Sequence, residues 1–561
     1  MTTALAFSRS DMVEQLAERH FDVLVIGGGI TGCGVALDAA ARGLSVALVE
    51  RDDFASGTSS KSSKLIHGGL RYLQQGDVRL VYEALHERQR LIRNAPHLVT
   101  VIPFLIPVLT KDGPVSKRIA KALRSAMWMY DVTGGLRIGR RHRRLGAAAA
   151  LAHCPTLPAD RLSSGFVYYD AQADDARVTL AVAKTAVTHG ATVVNRCAVV
   201  ELVVDDSGSA IGAVVEDTTN GRRIRVDAEC VVSATGVWAD EIRALDPTDT
   251  AEQGSIRPAK GVHVTIPWEL VGNDIAVIIS VPGDKRSLFL IPWGPLPDGT
   301  FEYCYVGTTD TDYVDDLDHP QTNEDDLDYV LRALAHSISP AAGRPIGRDD
   351  VTAVWAGLRP LVKAAGDGRT ADLSRRHQVS VSGSGVISVT GGKFTTYRRM
   401  AQDTVDVVVE RLGRGGRSRT KRLALDGADG YRPSGGDHPH HRLSQRYGTR
   451  VGEVKDLIRA DPSLAEPLVP GLRYLQAEAI HAVRSEMALT IEDVLARRTR
   501  AHLEDRDACR AAAGDVGRLL ATELGWDQAE TDAQVAAYLA LCDAESLAAT
   551  LPDARHTRSH A

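Results

Sequence analysis

Residues 21–50 read FDVLVIGGGITGCGVALDAAARGLSVALVE, and this stretch decides the fold. Phe21 to Ile26 is a short apolar, β-branched run, the pattern of a buried strand. Gly27-Gly28-Gly29 ends it, and the Ala-rich stretch Cys33 to Arg42 reads as a helix that Gly43 closes. Leu44 to Glu50 is a second buried strand, completing a βαβ unit of the ~30 residues such a crossover needs. Consecutive parallel strands joined this way imply an α/β sheet with helices on its faces. Within the unit, Gly27-x-Gly29-x-x-Gly32 sits between strand and helix, and Glu50 closes the next strand. The first glycine permits the tight turn, the second lets backbone approach a pyrophosphate, and the third allows helix and strand to pack closely. The helix N-terminus offers free N–H groups to the anion, and Glu50 is placed to accept hydrogen bonds from a ribose. The fingerprint alone leaves NAD and FAD open.

Two later glycine turns favour FAD: Val231 to Gly236, followed by Trp238, and Gly391-Gly392-Lys393. Strands are expected at Ala191–Val204, Ile211–Glu216, Arg223–Val226, Cys230–Ala234 and Val379–Thr390, with Val204–Glu216 forming a hairpin around Asp205-Asp206-Ser207-Gly208. The acid-rich segment from Asp310 to Asp328 reads as a solvated connection. Gly427 to Gly448, rich in Gly, Pro and His, reads as a linker. Beyond it come helices: Tyr474 to Met487, Val494 to Leu503 behind a Thr490/Asp493 capping box, and Val535 to Cys542 behind Asp527 and Glu530. The expected organisation is an N-terminal extension (1–20), a dinucleotide domain interleaved with a substrate domain (21–425, substrate parts roughly 76–170 and 240–350), a linker (426–448), a helical domain (449–550) and a tail (551–561).

With 561 residues, 44% of them hydrophobic and 25% charged, the chain has ample core and is not of disordered composition. A net charge of −6 argues against general nucleic-acid binding. Its seven cysteines form no C-x-x-C pair and fit reduced thiols in a cytosol. Asp11, Glu14, Glu18 and Arg19 interrupt any apolar leader. Val99 to Leu109, the most apolar stretch, is too short to span a membrane and contains Pro103 and Pro107.

Further motifs are Thr58-Ser59-Ser60, Ser62 to Leu73 (SSKLIHGGLRYL), Asp174-Asp175-Ala176-Arg177, Lys260-Gly261-x-His263, Gly307-Thr308-Thr309-Asp310, Gly357-Leu358-Arg359-Pro360-Leu361 and Gly391 to Arg398 (GGKFTTYR). On these blocks, which lie in family order from about residue 20 to 400, the chain closely resembles the FAD-dependent glycerol-3-phosphate dehydrogenases of the aerobic, quinone-linked type. The resemblance implies a glutathione-reductase-like FAD fold, an α+β substrate domain whose sheet covers the flavin, and a C-terminal all-α domain. It implies oxidation of sn-glycerol 3-phosphate to dihydroxyacetone phosphate by hydride transfer to non-covalent FAD.

The family's substrate residues fall on Arg71, Tyr72, His263, Arg359, Arg375 and Lys393, with His263 and Arg359 catalytic. Several fixed cations suit a phosphate dianion. Arg359 and His263 are expected at the carbinol end, where His263 binds the hydroxyl or takes its proton, and Arg71, Arg375 and Lys393 mainly at the phosphate. The implied cofactor residues are Gly27, Gly29, Ile30, Thr31, Gly32, Glu50, Arg51, Thr58, Ser59, Ser60, Ser63, Lys64, Leu65, His67, Gly68, Gly69, Ala234, Thr235, Gly236, Gly391, Gly392, Lys393, Phe394 and Thr395. No metal is expected: His438, His440 and His441 stand in the Gly- and Pro-rich linker and read as solvated.

Lys117, Arg118, Lys121, Arg124, Arg137, Arg140, Arg141, Arg143 and Arg144 face one acid, Asp131, with Trp128 and other apolar residues among them. This basic, aromatic segment fits peripheral attachment to an anionic membrane on its cytoplasmic side, where a quinone accepts electrons. A glycerol-3-phosphate oxidase that passes electrons to oxygen shares every motif above, and the sequence leaves room for a homodimer.

Overall fold

A computed structural model of the chain describes residues 7–69, 78–111, 113–116, 127–128, 130–131, 139–248, 256–284, 286–339, 343–362, 376–433 and 438–552. The βαβ unit forms as the pattern dictates: strand Phe21–Ile26, helix Ile30–Ala41, strand Val46–Val49, the strands parallel with Val23 opposite Val46. Every residue of that helix except Thr31 is buried, because helices Asp175–Thr188 and Tyr397–Leu412 pack on it from both sides. Small residues permit this approach; a Cβ on Gly34 would lie 2.8 Å from the Tyr397 ring.

Two sheets organise the described residues. The first has eight strands and runs Gln378–Val381, Ile387–Thr390, Arg222–Ser233, Phe21–Ile26, Val46–Val49, Thr192–Val194, with the meander Cys197–Val204 and Ala210–Asp217 joined to Arg222–Ser233. The second, of eleven strands, is mostly antiparallel. Its centre pairs Ile256–Pro267 with both Phe301–Gly307 and Ala353–Val362, and its far side pairs Val99–Leu109 with Leu162–Ala173. The chain passes between the two sheets repeatedly, so the second lies over the C-terminal ends of the parallel strands, where open α/β sheets place their ligands.

Several elements differ from expectation. The segment before Phe21 contains a helix, Arg9–Glu18, whose Met12, Val13 and Leu16 are buried in the main core, while Asp11, Glu14 and Glu18 are exposed and Arg9 pairs with the buried Asp217. Ala191–Val204 is two strands, broken where Arg196 adopts a left-handed φ of 55°. Arg223–Val226 and Cys230–Ala234 belong to a single strand, Arg222–Ser233, and Val379–Thr390 is a hairpin. The expected linker carries helix His438–Tyr447, held by the burial of Leu443 and Tyr447. The expected solvated connection is only partly so: Asp310 pairs with Arg359, and Asp326, in the helix Glu324–Ser337, is buried against Lys260.

The C-terminal part is all-helical around Leu468, Tyr474, Ile491, Val494, Leu520 and Tyr538. The Thr490/Asp493 box forms as expected, each side chain accepting from the other's backbone N–H at 3.1 Å. The helix it starts is a short π-helical turn, Asp493–Thr499, which stops where Arg500 takes φ 80°. No described helix is long and apolar enough to cross a membrane. All seven cysteines are buried and free.

Candidate active site

A cavity of about 670 Å³ runs from the glycine turn of the first strand to the inner face of the second sheet. At one end the backbone is shaped by residues that tolerate no side chain. Gly27 has φ +108°, and a Cβ there would lie 2.8 Å from the carbonyl oxygen of Ala234. On Gly32 it would lie 1.9 Å from the carbonyl oxygen of Gly27, which locks helix to strand. The Ser59 hydroxyl accepts from Ile30 N at 2.9 Å and steadies the helix N-terminus. Glu50 lies on the wall with its carboxylate accepting from Gly28 N (2.6 Å) and Asp52 N (2.9 Å), and burial pushes its pKa up to about 7. Each oxygen keeps acceptor capacity for a ribose hydroxyl. Gly391 and Gly392, at φ +72° and +83°, close the far turn. A glycine cradle at a helix N-terminus, continued by an acidic ribose partner, fits FAD.

The other end is built by two adjacent strands. In the pairing of Ile256–Pro267 with Ala353–Val362, His263 faces Trp355, Gly261 faces Gly357 and Ala259 faces Arg359. Side chains alternate across a strand, so these six positions share one face. The two glycines leave room in the middle: a Cβ on Gly261 would lie 2.6 Å from Arg359 Nη2, and one on Gly357 2.7 Å from the carbonyl oxygen of Lys61. Arg359 lies in that space, donating to Asp310 Oδ1 (3.1 Å), Thr308 Oγ1 (3.0 Å) and the Thr309 carbonyl (3.1 Å). Its fork is therefore fixed in orientation before any substrate arrives.

The His263 ring is buried and stacked on Trp355, with centroids 4.9 Å apart. Its Nε2 lies 2.7 Å from the Ser63 hydroxyl, and Nδ1 has no hydrogen-bond partner among the described residues. Burial, reinforced by the charges of Lys64 and Arg359, holds its pKa well below the usual histidine range. The imidazole is neutral at physiological pH and able to accept a proton.

Of the candidate residues, His263, Arg359 and Lys393 line the cavity together with Gly27, Gly29, Ile30, Thr31, Glu50, Arg51, Thr58, Ser59, Ser63, Leu65, His67, Gly69, Ala234, Thr235, Gly236, Gly391, Gly392, Phe394 and Thr395. Gly32, Ser60, Lys64 and Gly68 do not. Gly32 serves packing; Lys64 turns its ammonium inward to the Ser60 carbonyl (2.6 Å) and Asp175 (3.0 Å); Gly68 packs on Leu85 and Tyr130. Arg71, Tyr72 and Arg375 lie outside the described residues, as does most of the basic segment from Lys117 to Arg137.

Sequence reasoning missed Trp355, Thr308, Asp310 and Arg286. Trp355 was open to the period-2 alternation Trp355, Gly357, Arg359, and Thr308 and Asp310 stood inside a motif to which no role was given. Arg286 also lines the cavity and donates to the Asp310 carbonyl at 2.5 Å, but no local pattern marks it.

Residues 22–398 match the family model for FAD dependent oxidoreductases, and residues 418–531 match that for the C-terminal domain of alpha-glycerophosphate oxidase. Glycerol-3-phosphate dehydrogenase 2 of Mycobacterium tuberculosis is 41% identical over 555 residues, covering 96% of this chain and 91% of that protein. The human mitochondrial glycerol-3-phosphate dehydrogenase is 36% identical over 544 residues, covering 92% of this chain and 72% of that protein. The crystal structure of the Bacillus halodurans glycerol-3-phosphate dehydrogenase complexed with FAD superposes with a TM-score of 0.75 at 30% identity, covering 96% of this chain and 97% of that one. With its cofactor cradle and its His263–Arg359 pair on the facing sheet, the chain belongs to the FAD-dependent glycerol-3-phosphate dehydrogenase family.

Proposed function

We propose that this protein oxidises sn-glycerol 3-phosphate to dihydroxyacetone phosphate. FAD held in the glycine-lined part of the cavity supplies the hydride acceptor, and the redox chemistry belongs to the cofactor. The observation that carries the reading is the neutral, buried His263 on the same sheet face as the cation Arg359, at the end of the cavity away from the dinucleotide turn. As the C2–H departs as hydride, His263 takes the C2 hydroxyl proton. Trp355 fixes the plane of the ring, and Arg359, oriented by Asp310 and Thr308, holds the oxygen as it becomes a carbonyl. Lys393, on the cavity wall, suits the phosphate, and Arg71, Tyr72 and Arg375 complete the proposed substrate set. Anaerobic mixing with glycerol 3-phosphate tests this: the flavin absorbance near its visible maximum is expected to bleach, while glycerol at the same concentration leaves it unchanged. A flavin that stays oxidised overturns the reading.

The acceptor we propose is a membrane quinone, reached by peripheral attachment at the cytoplasmic face. Arg140, Arg141, Arg143 and Arg144 are exposed, and among the described residues none pairs with a carboxylate. Asp131, the one acid of that segment, is engaged by the backbone and ring of His142. Trp128 is 66% exposed close by in sequence. A second reading, electron transfer to oxygen, is favoured by the match of residues 418–531 to a domain named for an oxidase. Stoichiometric peroxide during turnover in air supports the oxidase, and rapid reoxidation by a quinone with little peroxide supports the dehydrogenase.

A further inference from the structure

A buried, heavily ionised region lies behind the active site, where the C-terminal domain meets the loop of residues 60–64. Its centre is Arg500, 1% exposed and in the left-handed region at φ 80°. A residue with a Cβ adopts that conformation at a cost, and here its guanidinium has buried partners that hold it there. It donates to the Ser60 carbonyl at 2.8 Å, pairs with Asp175 and lies 3.1 Å from Asp174. The second oxygen of Asp175 accepts from Ser62 N (2.9 Å), Ser62 Oγ (2.6 Å) and Lys64 Nζ (3.0 Å). Lys64 Nζ also donates to the Ser60 carbonyl at 2.6 Å and lies 5.1 Å from the centre of the Trp355 ring.

Ser63 sits between the two clamped residues, and its hydroxyl is the protein partner of His263 Nε2. The neighbouring contacts come from the same domain. Thr265, two residues along the strand from His263, donates to the Leu503 carbonyl at 2.6 Å, and Thr352, next to the Trp355 strand, donates to the Glu504 carbonyl at 2.6 Å. Trp355 Nε1 donates to the Ser62 carbonyl at 3.3 Å. The loop, the strand that carries His263 and the start of the strand that carries Trp355 are thus fastened to residues 500–504.

We propose that Arg500 is a positioning residue for the catalytic histidine, acting through Asp175 on the 60–64 loop and so on the Ser63–His263 contact. This rests on the proposed oxidation of glycerol 3-phosphate, in which His263 takes the proton. It gives the C-terminal helical domain a part in the chemistry, through geometry and without a group of its own in the cavity. The two charges that bear on His263, Lys64 from the loop and Arg359 from the adjacent strand, stay in place in the variant used as a test.

Arg500→Lys keeps the buried charge and loses the fork that spans Ser60 and Asp175. In FAD-loaded protein of unchanged visible spectrum, we expect the anaerobic rate of flavin reduction to fall about tenfold at saturating substrate, with little change in KM. Released from the clamp, the loop admits water to His263, so the acid limb of the pH–rate profile moves upward. Ser63→Ala lowers the same rate, and the double variant is expected to fall by less than the product of the two single effects. A substrate-free measurement separates this proposal from the functional reading: the His263 imidazole resonance in histidine-labelled protein titrates at higher pH in Arg500→Lys than in wild type. Wild-type flavin that glycerol 3-phosphate does not bleach overturns the functional reading and leaves that titration to decide the positioning role. A titration and pH profile superposed on wild type, or multiplicative effects in the double variant, overturn the role of Arg500. Should Arg500→Lys retain no FAD, Asp175→Asn, which keeps the acceptor for Ser62 and loses the charge partner, is read by the same two measurements with the same expectations.

Discussion

His263 and Trp355 face each other directly across an antiparallel strand pair, their rings 8° from parallel with centroids 4.9 Å apart. The pairing register alone sets this contact, because two residues opposite one another on adjacent strands bring their Cβ atoms within ~5.5 Å. The stack fixes the imidazole plane on one side, and the Ser63 hydroxyl fixes its edge. A ring held at two points loses little orientational freedom when substrate binds.

Trp355→Phe should preserve most of the stack and cost less than about threefold in kcat, whereas Trp355→Ala should cost on the order of 10² by freeing the ring. Both variants should retain FAD, because Trp355 is not among the residues of the cavity wall. Steady-state kinetics on protein matched for flavin content decides it; an Ala variant as active as the Phe variant would remove Trp355 from the mechanism.

Gly261→Ala places a methyl 2.6 Å from Arg359 Nη2 and 2.7 Å from Thr308 Oγ1, so the guanidinium must leave its three acceptors. The expected result is a fall in kcat/KM of about 10² with an unchanged flavin spectrum, close to the effect of Arg359→Ala, since a lost charge-assisted contact at the reacting centre costs ~3 kcal/mol. Gly27→Ala instead clashes with the Ala234 carbonyl at a φ of +108° and should yield protein depleted of FAD. Flavin content and activity, measured together, separate the two glycines. Loss of FAD from Gly261→Ala would contradict the division of the cavity.

These glycines show why much of the site was legible in the sequence. Gly27, Gly29 and Gly32 sit in one turn at fixed spacing, and the constraint that preserves them is local. His263 and Arg359 lay in separate motifs whose meeting depends on strand register, yet each motif carried an alternating pattern that the strand preserves. Lys64 shows the limit. Its motif marked it for the cofactor, but the direction of a long side chain is set by Asp175 and Arg500, far away in sequence. The helix at 438–447 was missed for a similar reason: Gly and Pro around it signal a loop, while burial of Leu443 and Tyr447 against later helices overrides local propensity.

Within the C-terminal domain, His502 is buried with Nδ1 2.8 Å from the Tyr538 hydroxyl and Nε2 3.1 Å from Glu545. Burial alone would lower its pKa, but the Glu545 carboxylate overrides this and raises it to about 10. The folded state therefore holds a proton that the unfolded chain releases near its ordinary value of 6.5. The contribution to stability is complete below pH 6.5 and is lost as pH rises towards 10. Melting temperatures taken between pH 6 and 10 should fall more steeply for wild type than for Glu545→Gln, the variant being most destabilised at the acidic end. Parallel curves would show that the pair does not hold the extra proton.

Arg140, Arg141, Arg143 and Arg144 form an exposed basic surface. Arg143 and Arg144 lie on the strand Arg143–Gly146, which pairs with Leu162–Ala173, so their backbone is anchored while their side chains remain in solvent. A fixed strand that presents exposed arginines unpaired with described carboxylates costs stability through self-repulsion unless an anionic surface meets it. Each basic residue near an anionic bilayer contributes ~1 kcal/mol, and an exposed Trp128 adds apolar insertion that salt does not screen. Sedimentation with anionic vesicles should therefore weaken, without vanishing, as ionic strength rises. Replacing the four arginines with Ser should reduce sedimentation and lower turnover with a lipid-borne quinone, while turnover with a soluble dye stays near wild type. The cavity residues are untouched by these changes, so a parallel loss with both acceptors would mean damage to the fold. Equal sedimentation of wild type and variant on anionic and neutral vesicles would leave these arginines an ordinary solvated face and shift the acceptor question towards oxygen.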